Sequence, residues 1–397
     1  MNAESIRELL PAARELEGEI VGLRRRLHQY PELSLEEAET SAVIGALLEE
    51  LGLSVRRGVG GYGVIAELRG AKPGPVVALR ADMDALPIQE ESGLPFASKI
   101  PGKMHACGHD AHTAMLYGAA KLLAARKGEL AGTVRFIFQA AEEVNEGAKA
   151  IVAAGGLDGV DEIYGLHNAP TMPAGKIATR AGSMMGSVDH FSVEIQGKGG
   201  HGAMPEQCVD PVVAASAIVL SLQTAVSREL SPFDPAVVTV GSIHGGNAYN
   251  VIPDRVELGG TARAFSARVG EQLPDAIARI VERVAEAHRC TADVRYKRMV
   301  PVLVNREDNA RTVNRVASLL LGDDQVGEAM PVLAGEDFSV YLEQVPGCFF
   351  WLGAGPQDNA EQAYGLHHPK YTLDEGCLAI GAAMLAAIPL YRGGDYE

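Results

Sequence analysis

Residues 105–112, HACGHDAH, place three histidines, one cysteine and one aspartate in eight positions of a 397-residue chain with only eleven histidines and five cysteines. Thiol, imidazole and carboxylate groups at this density are compatible with a metal site. They are also compatible with a cysteine nucleophile beside a histidine base, or with a polar helix start that has no chemistry. The rest of the chain decides between these readings.

Further side chains of the kind that bind metals follow apolar segments elsewhere in the chain. With those of the first cluster they occupy four places, which are Cys107 with His109, the adjacent Glu142 and Glu143, His167, and the pair His367 and His368. In an extended loop, residues two apart face the same way, so Cys107 and His109 are predicted to converge. Gly108 between them permits close backbone approach. Asp110 is predicted to cap the helix that follows.

The two adjacent glutamates must have different roles. Neighbouring residues of a regular strand face opposite sides, so both reach one cavity only if the strand predicted over 132–140 ends before them. The whole set of thiolate, imidazole and carboxylate ligands suits zinc or a similar divalent ion. Five ligands exceed what one catalytic zinc usually takes, which favours two ions about 3.5 to 4 Å apart. Glu142, beside the ligand Glu143, is then the candidate general acid/base for a metal-activated water.

The charge of such a site bears on the substrate. Two divalent ions, less the Cys107 thiolate, Glu143 and a hydroxide, leave a net positive centre within an acidic protein. The site is therefore predicted to favour anionic substrates.

Apolar periodicity indicates which elements position these residues. It predicts helices over 4–28, 35–51, 112–127 and 147–155, and strands over 62–68, 75–82, 132–140 and 161–167. This alternation is typical of an α/β sheet with ligand sites beyond the carboxyl ends of its strands. Residues 189–298 follow the order βαββαβ of a ferredoxin-like unit. We therefore expect a discontinuous catalytic domain, 1–185 with 300–397, and an inserted domain, 186–299.

Composition narrows the class of protein. A hydrophobic content of 47%, a charged content of 22% and a formal net charge of -16 describe a globular chain without the basic surface that nucleic acids require. No stretch approaches the roughly 18 apolar residues of a membrane span. The charged N-terminal segment and an odd number of cysteines without a CxxC pair predict a cytoplasmic protein without a disulfide framework.

Nine motifs, in order, carry a resemblance that covers nearly the whole chain. They are RADMDALP (80–87), HACGHDAHTAMLYG (105–118), FQAAEE (138–143), GLHN (165–168), GKGGHGAMP (197–205), NAYNVIPD (247–254), GTARAF (260–265), AGEDFS (334–339) and LHHPKY (366–371). In these the chain resembles the aminoacylase, hippurate hydrolase and indole-acetyl-amino-acid hydrolase group of dinuclear metallopeptidases. The resemblance implies hydrolysis of a small N-acyl amino acid to a carboxylic acid and a free amino acid. It also implies a mixed-sheet α/β catalytic domain with an inserted ferredoxin-like lid and dimerisation domain.

The resemblance further implies a role for each site residue. Two divalent ions per subunit, zinc, manganese, cobalt or nickel, would be held by Cys107, His109, Glu143, His167 and His367, with Cys107 bridging and His367 preferred to His368. Glu142 would be the general acid/base. His201 would stabilise the oxyanion, in many relatives from the partner subunit of a homodimer or higher homo-oligomer. Asn250 and Arg263 would help to bind the substrate carboxylate.

One departure from the wider peptidase pattern concerns Asp82. The residue two positions before it is a metal-binding histidine in that wider family, but here it is Arg80. Asp82 is therefore expected to orient a ligand rather than to bind metal itself. His28 and His112 are interpreted as structural, and His105 either as structural or as a donor to a ligand.

Three alternatives remain beside this interpretation. A dipeptidase or carboxypeptidase of the same family would need a pocket for a free α-amine. A cysteine hydrolase with Cys107 as nucleophile would survive a chelator, but it leaves the glutamates and distant histidines without a function. A non-catalytic metal-binding protein is disfavoured because Glu142, the candidate base, is present.

Overall fold

The computed structural model describes residues 3–394. Its helices are α1 (Ala3–Arg7), α2 (Leu9–Glu15), α3 (Glu17–Gln29), α4 (Ala38–Glu50), α5 (His109–Ala125), α6 (Gly147–Ala153), α7 (Pro211–Ser227), α8 (Ala267–Ala287), α9 (Glu307–Leu321), α10 (Phe338–Leu342) and α11 (Cys377–Arg392). Its strands are β1 (Ser54–Val59), β2 (Gly63–Arg69), β3 (Lys72–Asp82), β4 (Ala131–Gln139), β5 (Glu162–Pro173), β6 (Ile177–Thr179), β7 (Gly182–Met185), β8 (Val188–Gln196), β9 (Gly200–His201), β10 (Ala236–His244), β11 (Val251–Ile252), β12 (Arg255–Ala264), β13 (Thr291–Val300), β14 (Leu303–Asn305), β15 (Val326–Glu328) and β16 (Gly347–Gly355).

The chain divides into two compact units. The larger unit comprises the described residues up to Met184, together with Val304–Met330 and the described residues from Asp337 onward. The second unit comprises Met185–Leu303 and the short segment Pro331–Glu336.

The larger unit is built on an eight-stranded sheet in the order β1-β2-β4-β3-β5-β16-β6-β15. The central pairs β4–β3, β3–β5 and β5–β16 are parallel, whereas β1–β2, β2–β4 and β16–β6 are antiparallel. The middle strands are apolar on both faces because helices cover them, as is usual for parallel strands. Helix α11 is buried along nearly its whole length and packs against α5. The predicted mixed α/β sheet is therefore confirmed.

The second unit has the predicted ferredoxin-like order of elements. Its antiparallel sheet runs β10-β12-β8-β13, and helices α7 and α8 supply the two crossovers. Asp210 caps α7 by accepting a hydrogen bond from the Val212 N–H at 2.8 Å, and Ser266 caps α8 in the same way. Apolar side chains of both helices form a core with one face of the sheet, including Ile218, Leu273 and Ile277.

Local differences from the sequence prediction occur at the N-terminus. The helix predicted over 4–28 is instead three consecutive helices, α1 to α3, which separate at Glu8 and Leu16. Within residues 3–394, the structure contains no helix with the length and apolarity that crossing a bilayer demands.

Candidate metal centre

The structure brings the five predicted ligands together, although they come from four separate parts of the larger unit. Cys107 precedes α5 and His109 begins it, Glu143 follows β4, His167 lies in β5, and His367 lies in the loop before α11. The side chains form two groups of three residues. In each group, one potential ligand atom from every residue lies within 4.8 Å of the other two. The groups are Cys107 with His109 and His167, and Cys107 with Glu143 and His367. Cys107 is common to both groups.

Individual distances show how tightly the candidate ligands approach one another. His167 Nε2 lies 3.4 Å from Cys107 Sγ, and His367 Nε2 lies 3.4 Å from Glu143 Oε1. His109 Nε2 and Glu143 Oε1 are buried without any hydrogen-bond partner, and they are 3.8 Å apart. Buried polar atoms are seldom left without partners, so two such atoms at this separation fit the ligand set of a cation. The mixed sulfur, nitrogen and oxygen donors suit a borderline divalent ion.

Gly108 permits this convergence by a route that differs from the predicted extended loop. Its φ of +87° is left-handed, and it turns the chain directly into α5. A Cβ at this position would lie 2.3 Å from Asn168 Nδ2 and 2.5 Å from the Tyr371 hydroxyl. The close backbone approach expected at Gly108 is therefore present, and its neighbours are a side-chain amide and a phenol.

The prediction that Asp110 caps α5 is wrong. The N-cap position is Gly108, and no side chain caps the helix. Asp110 lies in the first turn, where its buried carboxylate contacts Arg24 Nε and His28 Nδ1, each at 2.8 Å. The structural role predicted for His28 thus has a specific form, because His28 anchors the start of α5 to α3.

The tautomers of two candidate ligands are set by contacts on the far side of each ring. His167 Nδ1 donates to the Asn168 carbonyl at 2.8 Å, and His109 Nδ1 donates to Asp84 Oδ1 at 3.2 Å. In both residues Nε2 is the nitrogen that faces the cluster and that the neutral ring would offer to a metal ion, which is the arrangement that metal-binding histidines adopt.

Asp82 belongs to neither group that contains Cys107, but it forms a separate group of potential ligand atoms with His109 and His112. Its carboxylate accepts hydrogen bonds from Arg80 Nη1 and His112 Nδ1, both at 2.6 Å, and its Oδ2 is 3.8 Å from His109 Nε2. Burial raises the pKa of Asp82, but His109, Arg80 and His112 together hold it well below its ordinary value. An ionised Asp82 with these partners fits an orienting role.

Negative charge accumulates around the cluster. Burial lowers the pKa of His109, but Asp82 and Asp84 outweigh it and raise the value to about 10. Burial and the carboxylates Glu143 and Glu142 raise the pKa of the Cys107 thiol well above its ordinary value. The negative charges that keep His109 and Cys107 protonated would also attract a metal cation. Binding of that cation would release the protons from both side chains.

The turn after β4 presents the two glutamates. The strand ends at Gln139, and Ala141 adopts a left-handed φ of +57°. The prediction that the strand stops before the glutamates is confirmed. The Glu143 N–H donates to Asp84 Oδ2 at 2.9 Å, while the Asp337 N–H lies 3.4 Å from Glu142 Oε1. Glu143 therefore lies against His367, whereas Glu142 Oε1 lies against the Asp337 N–H.

The structure separates His367 from His368. His367 has a φ of +63°, and its N–H donates to the Ala106 carbonyl at 2.8 Å, which brings its ring to Glu143. His368 accepts a hydrogen bond from the Lys370 N–H and stacks on Tyr364 with ring centroids 4.3 Å apart. Of the two histidines, His367 is the one that belongs to the candidate ligand groups.

The remaining predicted site residues lie in the second unit. His201 is exposed on β9, paired with Val251 of β11, and Asn250 immediately precedes that strand. Arg263 is half-buried on β12. Burial lowers the pKa of its guanidinium, although the Asp189 carboxylate acts to raise it. Their roles in oxyanion and carboxylate binding stay predictions.

Sequence reasoning missed three residues that support the cluster. Asp84 contacts His109 and the Glu143 N–H, Asn168 Nδ2 donates to the Cys107 carbonyl at 2.6 Å, and the Tyr371 hydroxyl donates to Asn168 Oδ1 at 2.7 Å. Each lies within a quoted motif. The alternation of Asp82, the last residue of β3, with Asp84 just beyond it was the available signal for Asp84.

Comparison with known proteins agrees with this geometry. The family described as peptidase family M20/M25/M40 matches residues 78–390. An N-acetyl-L-cysteine deacetylase of Bacillus subtilis is 44% identical over 91% of this chain and 85% of its own length. An IAA-amino acid hydrolase of Arabidopsis thaliana is 46% identical over 93% of this chain and 84% of its own. The crystal structure of a dinuclear metal-binding M20 peptidase of Bacillus subtilis is 39% identical, with a TM-score of 0.84 over 95% of this chain and 98% of its own.

Proposed function

Because the chain belongs to peptidase family M20/M25/M40, we propose that it is a metal-dependent amidohydrolase that cleaves small N-acyl amino acids to a carboxylic acid and a free amino acid. One observation carries the proposal. Cys107, His109, Glu143, His167 and His367 converge around buried atoms without hydrogen-bond partners, and Glu142 lies beside them. The names of the relatives indicate the substrate class.

We propose two divalent ions per subunit, drawn from zinc, manganese, cobalt and nickel. The membership of Cys107 in both ligand groups supports a bridging thiolate, and the dinuclear relative supports the number of ions. When bound, such ions polarise a carbonyl oxygen and lower the pKa of water.

The protein's own groups would then handle the proton and the charges. Glu142, which is buried and next to the candidate ligand Glu143, would take a proton from the attacking water. It would return that proton to the leaving nitrogen, so that the amino acid departs as a neutral amine. Asp82 and Asp84 would hold His109 in position, while His201, Asn250 and Arg263 would contact the oxyanion and the substrate carboxylate.

The raised pKa of Cys107 argues against the cysteine-hydrolase alternative. A nucleophilic cysteine has a lowered pKa and an electropositive surrounding. Here the thiol is buried beside Glu142 and Glu143, which have the opposite effect.

The experiment that tests the proposal is a substrate panel on metal-free and reloaded protein. N-benzoyl and N-acetyl amino acids are compared with dipeptides of the same C-terminal residue, after loading with each of the four metals. We expect acyl amino acids to be hydrolysed and the metal-free protein to be inactive. Glu142→Ala should retain its metal while kcat falls by about 10²- to 10⁴-fold.

Each other outcome identifies a competing function. Preference for dipeptides would favour the dipeptidase or carboxypeptidase alternative. Activity that survives a chelator but is lost to a thiol alkylator would favour Cys107 as nucleophile. Metal binding without hydrolysis of any panel member would favour a binding protein.

For the domains, we propose that 1–185 with 300–397 form the catalytic domain and that 186–299 form a lid and homodimerisation domain. Exposed apolar side chains support self-association: Val237 and Ile243 lie on the edge strand β10, and Leu220 on α7 is 74% exposed. Sedimentation of wild type and Leu220→Glu tests this, since loss of a dimer is expected only in the variant. The cytoplasmic location also remains a proposal, based on the charged N-terminal segment.

A further inference from the structure

A buried carboxylate outside the cluster lies against the turn that carries Glu142. Glu37 is fully buried, and its Oε1 accepts a hydrogen bond from the Ala141 N–H at 2.7 Å. Its Oε2 has no hydrogen-bond partner. Burial raises the pKa of Glu37 to about 7, because removal from water disfavours the charged form.

Capping of α4 does not explain this position. Glu37 occupies the N-cap of α4, but its side chain makes no capping hydrogen bond. The exposed N–H groups of the first turn are satisfied by Glu32, whose two oxygens accept from the N–H groups of Glu39 at 3.1 Å and Thr40 at 2.8 Å. The Glu37 side chain is thus directed at a segment more than 100 residues away.

The segment it reaches is strained. Ala141 has a left-handed φ of +57°, which costs an L-residue with a Cβ roughly 1–2 kcal/mol. Such conformations persist only where the surroundings enforce them, and they cluster at functional sites. Asp84 holds the N–H of Glu143 on the far side of Glu142. Two carboxylates therefore hold the residues that immediately flank the candidate general base.

We propose that Glu37 is a positioning residue, which fixes the left-handed turn at Ala141 and thereby aims the Glu142 carboxylate. The inference rests on the proposed function, in which Glu142 transfers the proton. Glu37 holds the Ala141 N–H, whereas Asp84 separately holds the Glu143 N–H. Loss of the Glu37 contact should therefore act on the rate of proton transfer by Glu142 rather than on substrate binding or metal content.

The test uses variants that separate hydrogen bonding from charge. Glu37→Gln keeps an acceptor at the same distance without the charge, and Glu37→Asp keeps the charge but withdraws the acceptor by one methylene. Glu37→Leu removes the acceptor altogether. Glu36→Gln is the matched control, because the neighbouring Glu36 is exposed and forms a surface ion pair with Lys103.

Glu37→Leu and Glu37→Asp are expected to lower kcat by about 10- to 100-fold, as displacement of a catalytic group by about 1 Å does. KM and bound metal should stay at wild-type values. Glu37→Gln should recover kcat to within about threefold of wild type, and Glu36→Gln should match wild type. If Glu37→Leu fails to fold, the proposal is judged by whether the kcat of Glu37→Gln exceeds that of Glu37→Asp. Equal kcat in Gln, Asp and wild-type proteins would overturn the proposal.

Amide hydrogen exchange over residues 139–146 provides a readout that does not depend on activity. Exchange of the Ala141 N–H should accelerate at least tenfold in Glu37→Asp and stay protected in Glu37→Gln. If wild type hydrolyses none of the substrates, the proposed function fails, and the exchange pattern alone judges whether Glu37 fixes the turn. If wild type is active and neither kcat nor exchange responds, only the role of Glu37 fails.

Discussion

Replacing Gly108 by alanine should destabilise the fold around the candidate metal centre. The loss in the free energy of unfolding has two parts. The first part is the cost of a left-handed φ, about 1–2 kcal/mol for alanine. The second part is steric, because the new Cβ would lie 2.3 Å from Asn168 Nδ2 and 2.5 Å from the Tyr371 hydroxyl. Those groups must move, which breaks the hydrogen bonds from Asn168 to the Cys107 carbonyl and from Tyr371 to Asn168.

A matched control isolates the steric part. Gly102 has a similar left-handed φ of +74°, but a Cβ there would meet nothing within 4 Å. Each buried polar group left without a partner costs about 1–3 kcal/mol. Counting one unsatisfied group for each of the two broken hydrogen bonds makes Gly108→Ala about 2–6 kcal/mol more destabilising than Gly102→Ala.

Urea unfolding followed by fluorescence measures the difference. Trp351 is the single tryptophan, and its ring lies 5.5 Å from that of His167. Its emission therefore reports on the unit that contains the cluster. Bound metal should fall in Gly108→Ala and stay unchanged in Gly102→Ala. Equal free energies of unfolding in the two variants would refute the argument, because they would mean that Asn168 and Tyr371 yield without cost.

Three further perturbations test separate contacts. Asp84→Asn should weaken metal binding by about 10- to 100-fold in a competitive chelator titration, since partners behind a ligand have effects of that size; unchanged affinity would contradict an orienting role. His367→Ala should lose bound metal while His368→Ala retains it, and the reverse result would exchange their roles. Burial lowers the pKa of His28, but the Asp110 carboxylate outweighs it and raises the pKa above its ordinary value of about 6.5. The stabilisation that protonated His28 provides is therefore complete below pH 6.5 and is lost as the pH rises through the raised pKa. The stability difference between wild type and His28→Gln should therefore shrink from pH 6 toward pH 9 in urea titrations, and a constant difference would show that protonation of His28 does not contribute.

The convergence of the ligands was predictable because it depends on short-range patterns. Apolar runs mark β4 and β5, and the polar residues within or after those runs gather at one region of the parallel sheet. The ligand types then indicate the chemistry. In the same way, the alternating order of elements was sufficient to identify the ferredoxin-like unit.

Contacts between distant segments were not predictable in this way. Asp110 has the sequence position of a capping residue, but it instead pairs with Arg24 and His28 of α3, more than 80 residues earlier. No periodic pattern links α3 to α5. Glu37 is a comparable case, because Glu32 accepts from N–H groups at the start of α4 while Glu37 reaches the Ala141 N–H. Such roles depend on tertiary packing rather than on local propensity.

The span of sequence that encloses the cluster also governs when it can form. During synthesis, a nascent chain that has reached residue 330 already contains Cys107, His109, Glu143 and His167, but it lacks His367, strand β16 beside β5, and helix α11 against α5. Until those parts are made, the thiol and imidazoles lack the strand and helix that cover this region in the folded protein. If metal binds as proposed, the complete set of ligands can receive it only after synthesis has passed His367.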